Sequence, residues 1–118
     1  MQFLRDRLDE AQAQQEDAFT AWHSRDCEAV PDVWGSEPDV CTCGAPARVL
    51  REVEANRQML AEHEPGTPPG RPNMNRHCLS CTTAQAWDET AGESNCRTLR
   101  LLALPYADHP DYQQEWTP

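Results

Sequence analysis

The sequence contains no lysine and no isoleucine, so all ten of its basic residues are arginine. A GC-rich genome explains that bias most simply. No stretch approaches the ~20 apolar residues that a membrane-spanning helix requires. The opening residues MQFLRDRLDE are charged and periodic, whereas a secretory signal has a basic head followed by an apolar run. We therefore expect a cytoplasmic protein without a membrane segment.

Aromatic residues are also scarce, at 7% of the chain, while ten residues are proline. A chain of 118 residues is one domain by length, and this one has too little apolar material for a large core. Its six cysteines offer another source of stability, either as disulfides or as metal ligands. In a reducing cytoplasm, clustered cysteines are more often metal ligands.

The sequence is also short of positive charge. Its twenty acidic residues outnumber its ten basic ones and give a formal net charge of −10. An acidic surface repels a phosphate backbone, and no local basic face is visible in the sequence. Nucleic acid is therefore an unlikely partner on these grounds. We expect a protein partner, whose identity the sequence does not give.

Periodicity and turn residues divide the proposed single domain, 1–118, into six segments. These are an N-terminal helix (1–22), a loop with a first metal cluster (23–44), a central helix (45–64), a proline-rich connection (65–77), a zinc knuckle with a third helix (78–104) and an acidic aromatic tail (105–118). The predicted fold class is therefore mainly α: about three helices, a treble-clef-like zinc knuckle and long loops.

The first helix is predicted from about Gln2 to Thr20, because an apolar stripe recurs there at helical spacing without glycine or proline. The stripe consists of Leu4, Leu8, Ala11, Ala18 and Trp22. We expect this stripe to pack against the central helix.

The central helix, PARVLREVEANRQMLAEH, is the clearest amphipathic run and extends from Pro46 to His63. Its apolar side consists of Val49, Leu50, Val53, Met59 and Leu60. Pro46 suits a first helical turn, and the Pro65-Gly66 pair prevents continuation. Because candidate metal ligands stand at both ends, we interpret this helix as a strut between two metal sites.

The C-terminal third is predicted to contain a short hairpin around Thr82–Trp87 and a third helix from Cys96 to Ala103. Asn95 is the expected N-cap of that helix, and Pro105 ends it. The tail carries three aromatic residues that we expect to pack back onto the body: Tyr106, Tyr112 and Trp116.

The stronger metal-ligand pattern lies in this third. Cys78-x-x-Cys81 places two sulfurs on one tight turn, and Cys96 stands at a helix start, which favours a thiolate. The fourth ligand is His63, His77 or His109. We favour His63, which ends the central helix, because His77 is adjacent to Cys78 and sterically awkward.

A second, less standard set comprises His23, Cys27, Cys41 and Cys43. Six cysteines then divide into two sets of three, each with a histidine. Three thiolates and one imidazole form a common structural zinc site with no position for water, so we expect two zinc ions and no catalysis. Disulfides, an iron–sulfur cluster, or a single metal site with free or redox thiols are the alternatives.

The sequence contains no Gly-rich phosphate loop, nucleophile elbow or HExxH motif. His109 between Asp108 and Asp111 is better explained as part of a solvated tail than as a catalytic base. We therefore favour a non-catalytic, zinc-stabilised interaction or regulatory protein. The alternatives are a zinc-knuckle nucleic-acid-binding regulator that uses Arg97 and Arg100, and a metal-dependent or redox enzyme.

Three stretches, QFLRDRLDE, APARVLREVEANRQMLAEH and CRTLRLLALPYADHPDYQQEWTP, resemble a family of short uncharacterised proteins from actinobacteria and their phages. That family is known only as a domain of unknown function. The resemblance implies an actinobacterial or phage source, in agreement with the GC-rich bias. It also implies that His63 and the CxxC…C set are shared elements, and it implies no activity.

Overall fold

The computed structural model describes residues 2–17, 20–28, 41–67, 69–72, 77–81 and 96–118. These residues form helices α1 (Gln2–Glu16), α2 (Ala45–Glu62) and α3 (Arg97–Ala103), the two-residue strands β1 (Pro65–Gly66) and β2 (His77–Cys78), and 3-10 turns at Leu104–Tyr106 and Gln114–Trp116. The predicted fold class, mainly α with three helices and a knuckle, is confirmed. Among the described helices, none has the length and hydropathy needed to cross a membrane.

The chain forms two compact units. The N-terminal unit is Asp6–Asn56, and the C-terminal unit combines Met1–Arg5 with Arg57–Pro118. Each cluster of cysteines and histidine lies inside one unit. The predictions of a single domain and of a strut between the sites concern how these units are arranged, and they stay predictions.

Helix α1 buries two members of the predicted stripe, Leu4 and Leu8. The helix is shorter than predicted, because it ends at Glu16 and the chain then turns. The buried side chain of Gln15 stabilises this turn, since its Oε1 accepts a hydrogen bond from the Trp22 backbone N–H at 3.0 Å. Trp22 is 60% exposed, so its assignment to the buried stripe was wrong.

Helix α2 begins immediately after Gly44, which has a positive φ of 68°. The Gly44 carbonyl accepts the Arg48 N–H at 3.0 Å, which starts the helical hydrogen-bonding pattern. A residue with a Cβ is strained at this φ, so glycine suits a chain that must turn sharply into the helix. The observed range agrees with the predicted central helix.

The apolar side of α2 is only partly buried. Val53 and Leu60 are buried at 4% exposure each, whereas Met59 is 38% exposed and therefore does not belong to the buried face. The helix ends before Pro65, as predicted, and Pro65 and Gly66 then form strand β1.

The proline-rich connection is held at both ends by a strand pair. β1 and β2 run antiparallel, with Pro65 opposite Cys78 and Gly66 opposite His77. This pairing returns the chain to the end of α2 and brings Cys78 beside it.

Helix α3 begins at Arg97, with Cys96 rather than Asn95 as the N-cap. Asn95 and the hairpin expected around Thr82–Trp87 lie outside the described residues. Leu99 and Ala103 are fully buried, and the helix ends before Pro105, as predicted. Burial of one face therefore fixes this short helix in place.

The tail packs back onto the N-terminal residues around Phe3. The Phe3 ring lies 5.1 Å from Trp116 and 6.4 Å from Tyr112, centroid to centroid, and Tyr112 contacts Trp116 edge-on at 5.6 Å. Arg100 Nη2 donates to the Glu115 carbonyl at 3.1 Å. The predicted return of the aromatic tail onto the body is confirmed by these contacts.

Candidate metal centres

The first cluster combines two chain segments of the N-terminal unit. His23 and Cys27 lie on the turn after α1, where the Cys27 N–H donates to the Ser24 carbonyl at 3.0 Å. Cys41 and Cys43 directly precede Gly44 and α2. The two turns place four candidate ligand atoms within 4.8 Å of one another.

The distances inside the first cluster are nearly equal. His23 Nδ1 lies 3.4 Å from the sulfurs of Cys27 and Cys41 and 3.7 Å from that of Cys43. The Cys41 sulfur lies 3.9 Å from that of Cys27 and 3.8 Å from that of Cys43. These values are the edges of one small tetrahedron.

A tetrahedral zinc ion requires almost the same edges. Zn–S bonds of about 2.3 Å and Zn–N bonds of about 2.05 Å imply S···S separations of about 3.8 Å and S···N separations of about 3.5 Å. A disulfide would instead bring two sulfurs to about 2.05 Å, and all six cysteines are free thiols. The donor set and its spacing therefore fit a metal ion.

Backbone groups support negative charge on Cys43. The N–H groups of Ala45 and Ser24 each donate to its sulfur at 3.4 Å, and because they stabilise the thiolate they lower its pKa. The hydrogen bond with Cys43 in turn raises the pKa of His23. The fold thus favours the thiolate form of one ligand of this cluster.

The second cluster takes its ligands from three elements of the C-terminal unit. His63 directly follows α2, and its N–H donates to the Met59 carbonyl at 3.2 Å. Cys78 lies in β2, and Cys96 is the N-cap of α3. Cys81 completes the CxxC turn.

The four atoms of the second cluster again form a tetrahedron. His63 Nδ1 lies 3.3 Å from the sulfur of Cys78, 3.2 Å from that of Cys81 and 3.6 Å from that of Cys96. The sulfurs of Cys81 and Cys96 are 3.6 Å apart. His63, the favoured histidine of the three candidates, is the one that the structure places among these sulfurs.

His109 is engaged elsewhere. Its ring contacts Phe3 at 5.6 Å, and its Nδ1 accepts the Asp111 backbone N–H at 3.1 Å. His77 contributes its backbone to the pairing of β2 with β1. His109 is therefore part of the tail packing and not of either cluster.

Burial separates the thiols of the second cluster. Cys78 and Cys96 are buried and Cys81 is exposed. Burial raises the pKa of Cys96 to about 11, although the Leu99 N–H acts in the opposite direction. The helix start thus favours the thiolate, as predicted, but burial has the larger effect on the pKa of this thiol. A bound cation would hold the sulfur deprotonated.

Contacts next to the ligands hold the CxxC turn against the end of α2. Ser80 Oγ donates to the Glu62 carbonyl at 2.5 Å, and Glu64 forms an ion pair with Arg5. The Thr98 hydroxyl lies 3.8 Å from the Cys81 sulfur.

Sequence reasoning missed Ser24, Ala45 and Thr98 as neighbours of the sulfurs, because a backbone N–H or a single hydroxyl has no sequence signature.

The structure thus brings all eight proposed ligands together in two groups of four. Within the part of the chain that the structure describes, these groups are His23, Cys27, Cys41 and Cys43, and His63, Cys78, Cys81 and Cys96. Each could hold one metal ion, which is compatible with two zinc ions. A tetrahedral ion with four protein ligands has no position for a substrate or a water molecule.

The model of a family described as "Family of unknown function (DUF6221)" matches residues 1–118. No curated protein and no solved structure matches the chain. The expected resemblance to a family of unknown function is confirmed, whereas the actinobacterial or phage source stays a prediction.

Proposed function

The chain belongs to DUF6221 over residues 1–118, and since that family's function is unknown, we propose a function from the two clusters: a non-catalytic, zinc-stabilised interaction or regulatory protein. The observation that carries this proposal is the spacing of the ligand atoms. In both clusters the measured edges lie between 3.2 and 3.9 Å, close to those of a Cys₃His zinc tetrahedron.

Ligand type favours zinc over calcium and magnesium. Thiolate and imidazole are ligands that zinc accepts in tetrahedral geometry, whereas calcium and magnesium require oxygen ligands. Three thiolates with one imidazole form a structural site, in which metal binding contributes directly to folding. We therefore propose two zinc ions per chain. The protein would come from an actinobacterium or its phage and act in the reducing cytoplasm.

Metal content tests this step. Protein purified without added metal should contain two zinc ions per chain, and cobalt substitution should give the absorption of tetrahedral, thiolate-ligated Co²⁺. One zinc per chain would support only one of the two sites. Absence of metal together with absence of free thiols would support disulfides and contradict the proposal.

The interaction role is supported by exposed apolar side chains on α3 and its extension. Leu101 is 49% exposed and Leu104 is 43% exposed, and residues three apart lie on the same side of a helix. The aromatic residues of the tail do not serve this purpose, because Tyr112 and Trp116 are buried at 8% exposure each. We therefore assign the partner-binding role to α3 and its extension.

A paired variant tests this role. Affinity capture with the parent protein should enrich a protein partner, and the double substitution Leu101→Glu with Leu104→Glu should abolish that enrichment. The exposed substitution Gln113→Glu adds one negative charge elsewhere and serves as the control. Equal capture by all three proteins, with two zinc ions retained in each, would contradict the assignment to α3.

The nucleic-acid alternative is weakened by the position of Arg100. Its Nη2 is bonded to the Glu115 carbonyl, so of the two arginines on α3 only Arg97 is exposed. A formal net charge of −10 opposes phosphate binding as well. An electrophoretic shift of DNA or RNA at low salt, where basic contacts are strongest, would revive this alternative.

An enzyme would require an open metal position or an exposed, reactive thiol that does not serve as a ligand. Both tetrahedra are filled by side chains of this protein, which supports a structural role. Five-coordinate cobalt spectra, or a water-derived ligand detected on the metal, would favour the enzymatic alternative.

A further inference from the structure

The two clusters differ in how far their sulfurs are accessible. In the first cluster Cys41 is exposed and Cys43 is half-buried, and only Cys27 is buried. In the second cluster Cys78 and Cys96 are both buried, and only Cys81 is exposed. A solvent-borne oxidant therefore reaches more of the sulfur in the first cluster.

The exposed sulfur of the first cluster also has a partner for a disulfide. The Cys27 sulfur lies 3.9 Å from that of Cys41, on a chain segment fourteen residues away. The sulfur of Cys43 is equally near at 3.8 Å, but it belongs to the same Cys-x-Cys turn and already accepts two backbone N–H groups. Cys27 is therefore the better partner for Cys41.

From this arrangement we propose that the zinc-bound sulfur of Cys41 reacts with peroxide, that Cys27 resolves the oxidised form, and that the resulting disulfide releases the ion of the first cluster. The inference rests on the proposed zinc binding. It goes beyond that function, because it makes one of the two structural sites reversible by oxidation.

The reaction uses hydrogen peroxide as the oxidant. The Cys41 sulfur attacks one peroxide oxygen, so that an S–O bond forms, the O–O bond breaks and hydroxide leaves. The sulfur loses two electrons and the peroxide gains them. The Cys27 sulfur then attacks the Cys41 sulfur, so that an S–S bond forms, the S–O bond breaks and a second hydroxide leaves. Two protons convert the hydroxides to water.

After this reaction the first cluster retains only His23 and Cys43 as metal ligands. Two ligands are too few for a structural zinc site, so the ion dissociates. A thiol reductant returns two electrons to the disulfide and restores both thiolates.

The second cluster is expected to resist the same treatment for longer. Two of its ligands belong to regular elements, with Cys78 in β2 and Cys96 at the start of α3. A Cys81–Cys96 disulfide would have to move the N-cap of a helix that is anchored by the buried side chains of Leu99 and Ala103. Cys27 and Cys41 lie outside any helix or strand, so their sulfurs can approach each other with less rearrangement. We therefore expect the two ions to leave in sequence.

The test uses the full chain loaded with two zinc ions, a chromogenic zinc indicator and increasing hydrogen peroxide. We expect release of one ion per chain before the second, and peptide mapping should find Cys27 joined to Cys41. Dithiothreitol should restore the bound metal. Simultaneous release of both ions, earlier release from the second cluster, or retention of both under excess peroxide would overturn the inference.

Two matched variants locate the reactive sulfur. Cys41→His replaces the exposed thiolate with a second imidazole, so the first cluster keeps four ligands and should hold its ion against peroxide. Cys81→His makes the same change in the second cluster and should leave the early release unchanged. An early release from Cys41→His at the parent's rate would overturn the assignment.

Trapping of sulfenic acid with dimedone in the parent protein is independent of how these variants fold. A label on Cys41 at the first additions of peroxide is expected, and a first label on any other cysteine contradicts the proposal. A chain that contains no zinc contradicts the proposed function as well. Two firmly bound ions that peroxide does not release contradict only the present inference.

Discussion

The two units of the chain differ sharply in how much apolar material they bury. Among the described residues, the C-terminal unit buries the apolar residues Leu4, Leu60, Cys78, Cys96, Leu99, Ala103, Tyr112 and Trp116, whereas the N-terminal unit buries Leu8, Cys27 and Val53. Both units contain one cluster of three cysteines and a histidine. A metal site of the same composition therefore accompanies two very different cores.

The difference indicates what each metal ion contributes. Buried apolar surface stabilises a fold by about 25 cal/mol per Å², so the unit with fewer buried side chains depends more on other sources. Small domains commonly supply the deficit with disulfides or metal. We infer that the metal ion of the first cluster is the main source of stability of the N-terminal unit. The ion of the second cluster joins elements that buried side chains also hold together.

The largest expected effect is that of Cys27→Ser. Loss of a structural zinc ion removes on the order of 10 kcal/mol of folding free energy, more than the few buried side chains in the described part of Asp6–Asn56 can replace. We expect one zinc per chain and a large loss of helical circular dichroism, because most of α1 and α2 lies in this unit. A variant that keeps both its helix content and its melting temperature would contradict the inference.

Cys81→Ser is the matched change in the other unit. We expect loss of the second ion and unfolding of the C-terminal third, again because zinc binding contributes ~10 kcal/mol or more. The loss of helical signal should be smaller than for Cys27→Ser, since α3 contains only seven residues. Equal losses in the two variants would mean that the units unfold as one domain.

Substitution of Trp116 comes next in size. Trp116→Ala removes a buried ring that contacts Phe3 and Tyr112, and such changes cost about 3–5 kcal/mol. Trp22→Ala is the control in the N-terminal unit, where the side chain is 60% exposed, and it should change stability by about 0.5 kcal/mol or less. Denaturant unfolding with both zinc ions bound measures each value. Similar losses of unfolding free energy in the two variants would contradict the inference that the two units have unequal cores.

The smallest expected effect concerns Gly44, next to the first cluster. Gly44→Ala places a Cβ at a φ of +68°, which costs about 1–2 kcal/mol, although nothing lies within 4 Å of that Cβ. Gly66→Ala, beside the second cluster, only displaces the exposed Leu79 side chain, whose Cδ1 would lie 3.2 Å away. Thermal denaturation should therefore give Gly44→Ala the lower melting temperature. A lower melting temperature for Gly66→Ala would contradict this prediction and show that the exposed Leu79 side chain cannot move aside.

Several elements followed from local pattern alone. The central helix was predicted to within one or two residues, because amphipathic spacing, Pro46 and Pro65-Gly66 all act locally. The end of the first helix was not predicted, since no glycine or proline marks Glu16 and the following turn depends on Gln15 accepting a bond from Trp22. The exposure of Trp22 and Met59 was missed for the same kind of reason, as burial depends on what packs nearby.

The sequence by itself determined the number and type of the ligands, because cysteine and histidine side chains carry that chemistry wherever they lie. It also determined the position of the central helix, which lies between Cys43 of the first set and His63 of the second. Only the tertiary structure decided which histidine joins Cys78, Cys81 and Cys96, and which sulfurs face solvent. These features arise from distant segments meeting in space, such as α2 and β2, and sequence spacing does not measure that distance.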